Sequence, residues 1–323
     1  MKPMKYGVIG VGNMGANHAR SVHEIPEAQL VAVADANRTA AVNVAGLYGC
    51  QAMGDYRSLL EQCDVEAISV CVPTSMHLEV AIECMQHGKH VLLEKPIAAT
   101  VADARRLQEF AREQGVQMMV GHIERFNPVV RRVKEILDRG EIGRVVSIMA
   151  RRVGVFPPQI KDANIAVDLA IHDLDIVNLL LGELPMDVSS SKRRNHVEHR
   201  EDSVEFFLRY REATAYVQAN WITPVKIRKL NITGTDGYLE MDYISQKIQF
   251  YKSNYEKYRE VPGHIDGFSD YVLKYMEPEL VEISVAKREP LKEEIRWFIG
   301  AVRRGDPINN EHAIDALAIA LKA

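Results

Sequence analysis

The sequence predicts an α/β domain built on a parallel sheet, followed by an α+β domain. Three observations carry this. Residues 5 to about 121 repeat a short apolar run, a turn and a helix-period stretch, the alternation that produces parallel strands with crossover helices. Beyond Gly121 strand-like runs follow one another without helices between them. A length of 323 residues exceeds one ordinary domain and suits two, each with its own core. The expected boundaries are 1–121 and 122–323.

The parallel strands are read at Tyr6–Ile9, Leu30–Ala34, Ala67–Val72, His90–Leu93 and Gln117–Val120. All are nearly continuous in apolar character, as strands covered on both faces must be. Helices such as Met76–His87 and Val101–Gln114 lie between them, each followed by a glycine, Gly88 or Gly115, suited to the left-handed position after a helix. The second domain is expected to hold helices near Val129–Arg139 and Ala166–Leu181. Its strands Val204–Tyr210 and Ala215–Trp221 alternate with the period of a half-buried antiparallel sheet. Thr235-Asp236-Gly237 is a hairpin signal between two further strands. Two helices, Leu291–Arg304 and His312–Lys322, close the chain.

Composition narrows the function. A net charge of -4 from 40 basic and 44 acidic residues, mixed along the chain, leaves no basic stripe for nucleic acid or a membrane surface. A small-molecule substrate is expected. Cys50, Cys63, Cys71 and Cys84 never form a Cys-x-x-Cys spacing, so neither a zinc site nor a disulfide framework is indicated, and reduced thiols fit a cytoplasmic location. The amino-terminal lysines and apolar run mimic a signal peptide, but Gly7, Gly10 and Gly12 interrupt the run, which reads as a first strand. No eighteen apolar residues are consecutive. His196 and His199 have a metal-like spacing inside a charged stretch, yet no third ligand is placed by sequence, so no metal is expected.

Gly10-Val11-Gly12-Asn13-Met14-Gly15 follows the first strand and opens the first helix. In that context Gly10 permits the tight turn, Gly12 lets a pyrophosphate approach the backbone, and Gly15 lets helix pack on strand, which makes this a dinucleotide-binding Rossmann turn. Asp35, twenty positions after Gly15 at the end of the second strand, is the carboxylate expected to accept the adenosine ribose hydroxyls. An acid there repels a 2′-phosphate, so NAD is expected ahead of NADP. Arg38 either clamps such a phosphate or is a solvated first-turn arginine.

Glu94-Lys95-Pro96 closes the fourth of these strands at the sheet edge where ligands bind. Asp168-Leu169-Ala170-Ile171-His172 puts a carboxylate and an imidazole four apart on a predicted helix. An Asp/His pair beside a nucleotide domain is suited to taking a proton from an alcohol, the aspartate orienting the imidazole.

These three motifs, in this order, resemble the glucose-fructose oxidoreductase / inositol dehydrogenase family over essentially the whole chain. The resemblance implies an amino-terminal Rossmann domain binding NAD(P). It also implies a carboxy-terminal domain with a large, mostly antiparallel open sheet that supplies the substrate site and the oligomer contact; a sheet with one uncovered apolar face favours a homodimer or homotetramer. Lys95 and His172 would flank the reacting carbinol with Asp168 nearby, Glu94 would contact the nicotinamide-side ribose, and Pro73, Thr74 and His77 would line the cofactor together with Asn13 and Met14. Within the family, the stretches Gly121–Pro128 and Asn220–Leu230 are similar to UDP-N-acetylglucosamine 3-dehydrogenases. That implies oxidation of the sugar C3 hydroxyl to a ketone for a downstream sugar aminotransferase.

Arg125, Asn127 and Arg152 are the candidate substrate contacts beyond the catalytic set, with Arg151 and Lys161 as further diphosphate partners. Arg125 equally reads as a structural cap, and Lys226 with Arg228 as the outer face of a strand. In the expected reaction His172, held by Asp168, takes the hydroxyl proton, and Lys95 stabilises the alkoxide, although sequence leaves open which of the two is the formal base. A polyol or free-sugar dehydrogenase would share every catalytic residue named. A non-catalytic NAD-binding sensor or scaffold would need neither the lysine nor the Asp/His pair.

Overall fold

The computed structural model describes residues 2–155, 164–196, 200–253 and 279–323. Lys161 and His199 lie outside them. The chain forms two compact units, the first from the described parts of Met1–Phe126, Pro158–Asp175 and Arg288–Leu321, the second from those of Asn127–Pro157, Ile176–Lys287 and Lys322–Ala323.

The first unit holds a parallel sheet in the order β3-β2-β1-β4-β5-β6. Its strands are β1 (Met4–Ile9), β2 (Ala28–Ala34), β3 (Gln51–Met53), β4 (Ala67–Val70), β5 (His90–Glu94) and β6 (Met118–Gly121). The order reverses between β1 and β4, the switch point at whose carboxyl edge open α/β sheets bind ligands. The helices are α1 (Asn13–Glu24), α2 (Arg38–Tyr48), α3 (Tyr56–Gln62), α4 (His77–Gln86) and α5 (Val101–Gln114). Gly115 ends α5 in the left-handed region at φ 66°, as its sequence position suggests. β3 escaped the sequence pattern because its three residues are half-buried or exposed and carry no apolar run.

The two closing helices, α8 (Pro290–Arg304) and α9 (Glu311–Ala320), belong to this first unit. A linear boundary at 121/122 therefore does not describe the unit in space. Leu291, Ile295, Phe298 and Ile299 of α8 share a core cluster with Tyr6, Val8 and Val22, so burial of the apolar face of α8 recruits it to the amino-terminal sheet. The buried Asn310, just before α9, accepts from the Val120 N–H at 3.0 Å and donates to the Met118 carbonyl at 2.9 Å, satisfying the outer edge of β6.

The second unit is built on an eight-stranded sheet in the order β14-β13-β12-β11-β7-β10-β9-β8. Its strands are β7 (Val145–Val153), β8 (Asp187–Arg193), β9 (Ser203–Arg209), β10 (Thr214–Asn220), β11 (Ile227–Gly234), β12 (Gly237–Asp242), β13 (Lys247–Lys252) and β14 (Glu279–Ile283). Among the described residues of this sheet only β7 and β10 pair in parallel, and the other pairings are antiparallel. Val204, Phe206 and Leu208 are buried while Phe207 between them is half-exposed, the two-residue period expected of a sheet with one covered face. The helix α6 (Pro128–Asp138) also belongs to this unit, and α7 (Ile171–Leu181) carries the chain into it.

Candidate active site

The glycine turn after β1 divides its duties. Gly10 has φ +80°, and a Cβ there would stand 2.7 Å from the Cys71 carbonyl oxygen. One on Gly15 would fall 1.7 Å from the Gly10 carbonyl oxygen. Protein backbone alone forces both. Around Gly12 nothing lies within 4 Å, so its missing side chain leaves open space. Gly12 caps α1 without a side-chain hydrogen bond, and no acidic residue sits in the first turn, so the positive end of the helix faces that space.

The space belongs to a cleft of about 820 Å³ within the first unit. Gly10, Gly12, Asn13 and Met14 form one wall, Asp35 stands at the end of β2, Pro73 and Thr74 follow β4, and Glu94, Lys95 and Asp168 close the far end. These residues fit an extended anionic dinucleotide: helix N–H groups without an acidic neighbour, a carboxylate one strand away, and a cation with further carboxylates at the opposite end. The Asp35 carboxylate accepts from the Val11 N–H and the Asn37 N–H, both at 2.7 Å. It therefore braces the glycine turn as well as facing the cleft, and each oxygen retains a lone pair for a ribose hydroxyl.

At the far end, Lys95 Nζ donates to Asp168 Oδ1 at 3.0 Å and to the Asp168 carbonyl at 2.8 Å. Both side chains are about 15% exposed, so the pair is shielded from bulk water without being sealed off. The helix expected over 166–181 is present, but Ala166–Ala170 forms a wider π turn before α7 proper. Asn164 Oδ1 accepts from the N–H groups of Ala166 and Val167 at 3.1 Å each, and Lys95 takes the Asp168 carbonyl, which together account for the altered ladder. Asp168, the carboxylate read from sequence beside His172, also grips the lysine. His172 lies half-buried in the first turn of α7.

Glu94 is 8% exposed, accepts from the Lys95 N–H at 3.1 Å and lies 2.9 Å from His18 Nε2. Burial alone would push its carboxyl up, but the His18 hydrogen bond, together with the neighbouring Lys95 charge, outweighs this and holds it below the usual carboxylate range.

The remaining sequence candidates divide. Gly15 sits beneath the turn, not on the cleft. Arg38 is exposed, its stem beside Gly54. His77 is buried behind the wall, its Nδ1 2.8 Å from the Pro96 carbonyl and its Nε2 3.0 Å from that of Val72, bracing the loops after β4 and β5. Arg125 forms a two-pronged ion pair with the buried Asp175. Asn127 and Arg152 belong to the second unit: Asn127 caps α6 and donates to the Tyr243 carbonyl at 3.1 Å, and the buried Arg152 stacks 5.0 Å from the Tyr243 ring centroid.

Sequence reasoning missed the cleft residues Cys71, Tyr56, Arg57 and Glu79, and His18 behind Glu94. Tyr56 and Arg57 follow the short β3, and no spacing rule points to them. The one available signal for His18 was a histidine on the buried face of the helix opened by the glycine turn.

Comparison with known proteins matches residues 4–122 to the GFO/IDH/MocA oxidoreductase family with an NAD-binding Rossmann fold, and residues 130–240 to the GFO/IDH/MocA C-terminal domain. The UDP-N-acetylglucosamine 3-dehydrogenase of Acidithiobacillus ferrooxidans is 30% identical over 305 residues, 94% of this chain and 90% of the relative. The inositol 2-dehydrogenase of Rhizobium meliloti is 33% identical over 192 residues, 58% of each chain. A solved structure of the Acidithiobacillus enzyme superposes with a TM-score of 0.84 at 28% identity, covering 100% of this chain and 97% of that one.

Proposed function

This chain belongs to the glucose-fructose oxidoreductase / inositol dehydrogenase (GFO/IDH/MocA) family of NAD(P)-dependent dehydrogenases acting on sugar hydroxyls, and from that premise we propose that it oxidises C3 of UDP-N-acetylglucosamine to the ketone with NAD. The observation that carries the reading is the Lys95–Asp168 pair at the end of the dinucleotide cleft. A sensor or scaffold has no use for a shielded cation held there by two oxygens of one residue.

The nicotinamide, when bound, supplies the hydride acceptor. Gly12 and the start of α1 would receive the pyrophosphate, Asp35 the adenosine ribose and Glu94 the ribose on the nicotinamide side. Lys95 hydrogen-bonds the reacting hydroxyl oxygen and stabilises the alkoxide charge as it develops, a contribution strengthened by partial exclusion of water. Asp168 fixes the ammonium in place, and His172 receives the hydroxyl proton. Asp35 disfavours a 2′-phosphate, which supports NAD over NADP.

Nucleotide-sugar specificity is supported by the relative aligned over 94% of the chain. A polyol reading gains from one observation: Arg125, a candidate diphosphate contact, is occupied by Asp175. For the assembly we propose a homodimer or homotetramer through the outer face of the eight-stranded sheet. There Phe207, Tyr216 and Met149 lie side by side in register, with Phe207 51% and Met149 55% exposed.

Incubation with NAD and UDP-N-acetylglucosamine, with a sugar aminotransferase trapping the ketone, tests the substrate. NADH absorbance with the mass of the 3-amino or 3-keto sugar is the expected result. Turnover of inositol or a free sugar alone moves the assignment to polyols, and no turnover on any of these overturns the dehydrogenase reading.

A further inference from the structure

Behind Lys95 runs a buried chain of polar groups that the reaction as written does not use. Tyr6 of β1, Ser69 of β4 and His18 of α1 are each 0% exposed. The Tyr6 hydroxyl is 3.0 Å from Ser69 Oγ, Ser69 Oγ is 2.9 Å from His18 Nδ1, and His18 Nε2 is 2.9 Å from Glu94 Oε1. The carboxylate end sets the direction of the whole chain. Glu94 accepts, so His18 Nε2 donates; in a neutral imidazole Nδ1 then accepts from Ser69, and Ser69 in turn accepts from Tyr6. One N–H on the imidazole satisfies every polar atom in the run, and a fully satisfied buried network rigidifies what it holds.

A second carboxyl competes at the same place. Glu294 of α8 is 0% exposed, and neither of its oxygens has a hydrogen-bond partner among the described residues. Both oxygens lie 3.7 Å from the position a Cβ on Gly121 would take, and Gly121 is the residue that pairs with Glu94 across β5 and β6. Two neighbouring buried carboxyls do not both ionise without cost.

We propose that His18 is a positioning residue of this site: acting through Glu94, it fixes an ionised carboxylate at the cleft floor next to Lys95, and it settles which of the two buried carboxyls carries the charge. The titratable groups that face Glu94 are His18 from α1, Lys95 from its own loop, Cys71 after β4, His77 of α4, His122 after β6 and Glu294 of α8. Of these, His18 and the Lys95 backbone are the groups that hydrogen-bond it. The directions agree with the geometry: Glu94 is held low, whereas burial first and then the Glu94 charge push Glu294 well above the carboxylate range. Without His18 that balance tips, because burial then pushes Glu94 up against the Lys95 contacts alone.

The proposal rests on the nicotinamide-cofactor reading of the cleft, not on the identity of the sugar. It is tested by titrating NADH fluorescence across pH in the full chain carrying His18→Gln, His18→Asn or Glu294→Gln. A glutamine amide reaches the place of Nε2 and keeps the bond to Glu94; an asparagine amide matches Nδ1 and keeps only Ser69. His18→Asn is expected to weaken NADH binding by roughly ten-fold or more, the scale of losing a charge-assisted buried hydrogen bond, and to move the acid limb of binding to higher pH. His18→Gln is expected to recover most of the loss, and Glu294→Gln to bind as the parent does, since the charge sits on Glu94. Equal behaviour of the Gln and Asn variants, or an acid limb that stays in place in His18→Asn, overturns the proposal. Should His18→Asn fail to fold, Ser69→Ala cuts the chain one bond upstream, and an acid limb unmoved there is equally fatal. A parent protein that binds NADH but oxidises no sugar leaves these comparisons intact, whereas one that binds no NADH removes the cofactor cleft and the role of His18 with it.

Discussion

Arg125 and Asp175 meet as a fork, Nε to Oδ2 and Nη2 to Oδ1, both at 2.7 Å, with the carboxylate 1% exposed. The arginine comes from the turn after β6, and the aspartate lies seven residues beyond Asp168, so the fork fastens the segment bearing Asp168 and His172 to the nucleotide-binding sheet. Arg125→Met leaves a buried carboxylate without its counter-ion, with an expected loss of about 3–5 kcal/mol in urea denaturation. Arg125→Lys should lose less, since a single bond survives. An Arg125→Met protein as stable as the parent would return this residue to the list of substrate contacts.

The glycine turn gives a clean separation of folding from binding. Gly15→Ala places a methyl group on the Gly10 carbonyl and should lower the melting temperature by several degrees, a cost of at least about 1–3 kcal/mol. Gly12→Ala meets nothing of the protein itself, so its melting curve should match the parent while NADH affinity falls. A normal affinity in Gly12→Ala would remove the pyrophosphate from this wall of the cleft.

Replacing Lys95 by Met is expected to reduce kcat on the order of 10²–10⁴-fold, the range for a group that stabilises charge in the transition state. Cofactor affinity should change far less. Asp168→Asn keeps an acceptor for Nζ but loses its charge, so it should sit between Lys95→Met and the parent. Near-normal turnover in Lys95→Met would dismiss the proposed chemistry.

Stability should fall on the acid side of neutrality. Burial pushes the His312 imidazole down to about 3 against the pull of Asp175, and burial likewise lowers His122. The folded protein keeps both rings neutral while the unfolded chain protonates them below about pH 6.5. Each such proton costs roughly 1.4 kcal/mol per pH unit between the unfolded value and the folded one. Chemical denaturation at stepped pH should show this slope, and His312→Asn should flatten it; an unchanged slope counts against the neutral ring.

Glu294 works in the opposite sense. Its folded value lies above the unfolded one, so its contribution is intact at low pH and erodes as pH rises past about 4.5. Glu294→Gln should therefore melt higher than the parent at pH 7–8 and converge with it near pH 4. A variant less stable at neutral pH would mean that the carboxyl holds a partner there.

Much of the nucleotide-binding sheet was legible because strands covered on both faces become continuous apolar runs, a local property. Lys95 and Asp35 stand out as candidates, and both line the cleft, because each sits at the end of such a strand, where sequence order gives spatial position. The rest depends on contacts between distant residues. His18 lies 76 positions from Glu94, and Asp175 lies 50 from Arg125, so nothing local marks either pairing. In sequence Arg125 reads equally as a substrate contact and as a structural cap, and its fork with Asp175 has no local signature. β3 was lost because an exposed edge strand of three residues has no pattern to read.

The return of α8 to the amino-terminal core has a consequence for synthesis. Leu291, Ile295 and Phe298 leave the ribosome only after every strand of the second sheet, yet Tyr6 and Val22 wait for them. The nascent nucleotide-binding half must therefore persist with part of its interior uncovered while the entire second unit is made. Premature termination anywhere before α8 should yield a chaperone-dependent or aggregating product and not a smaller working domain.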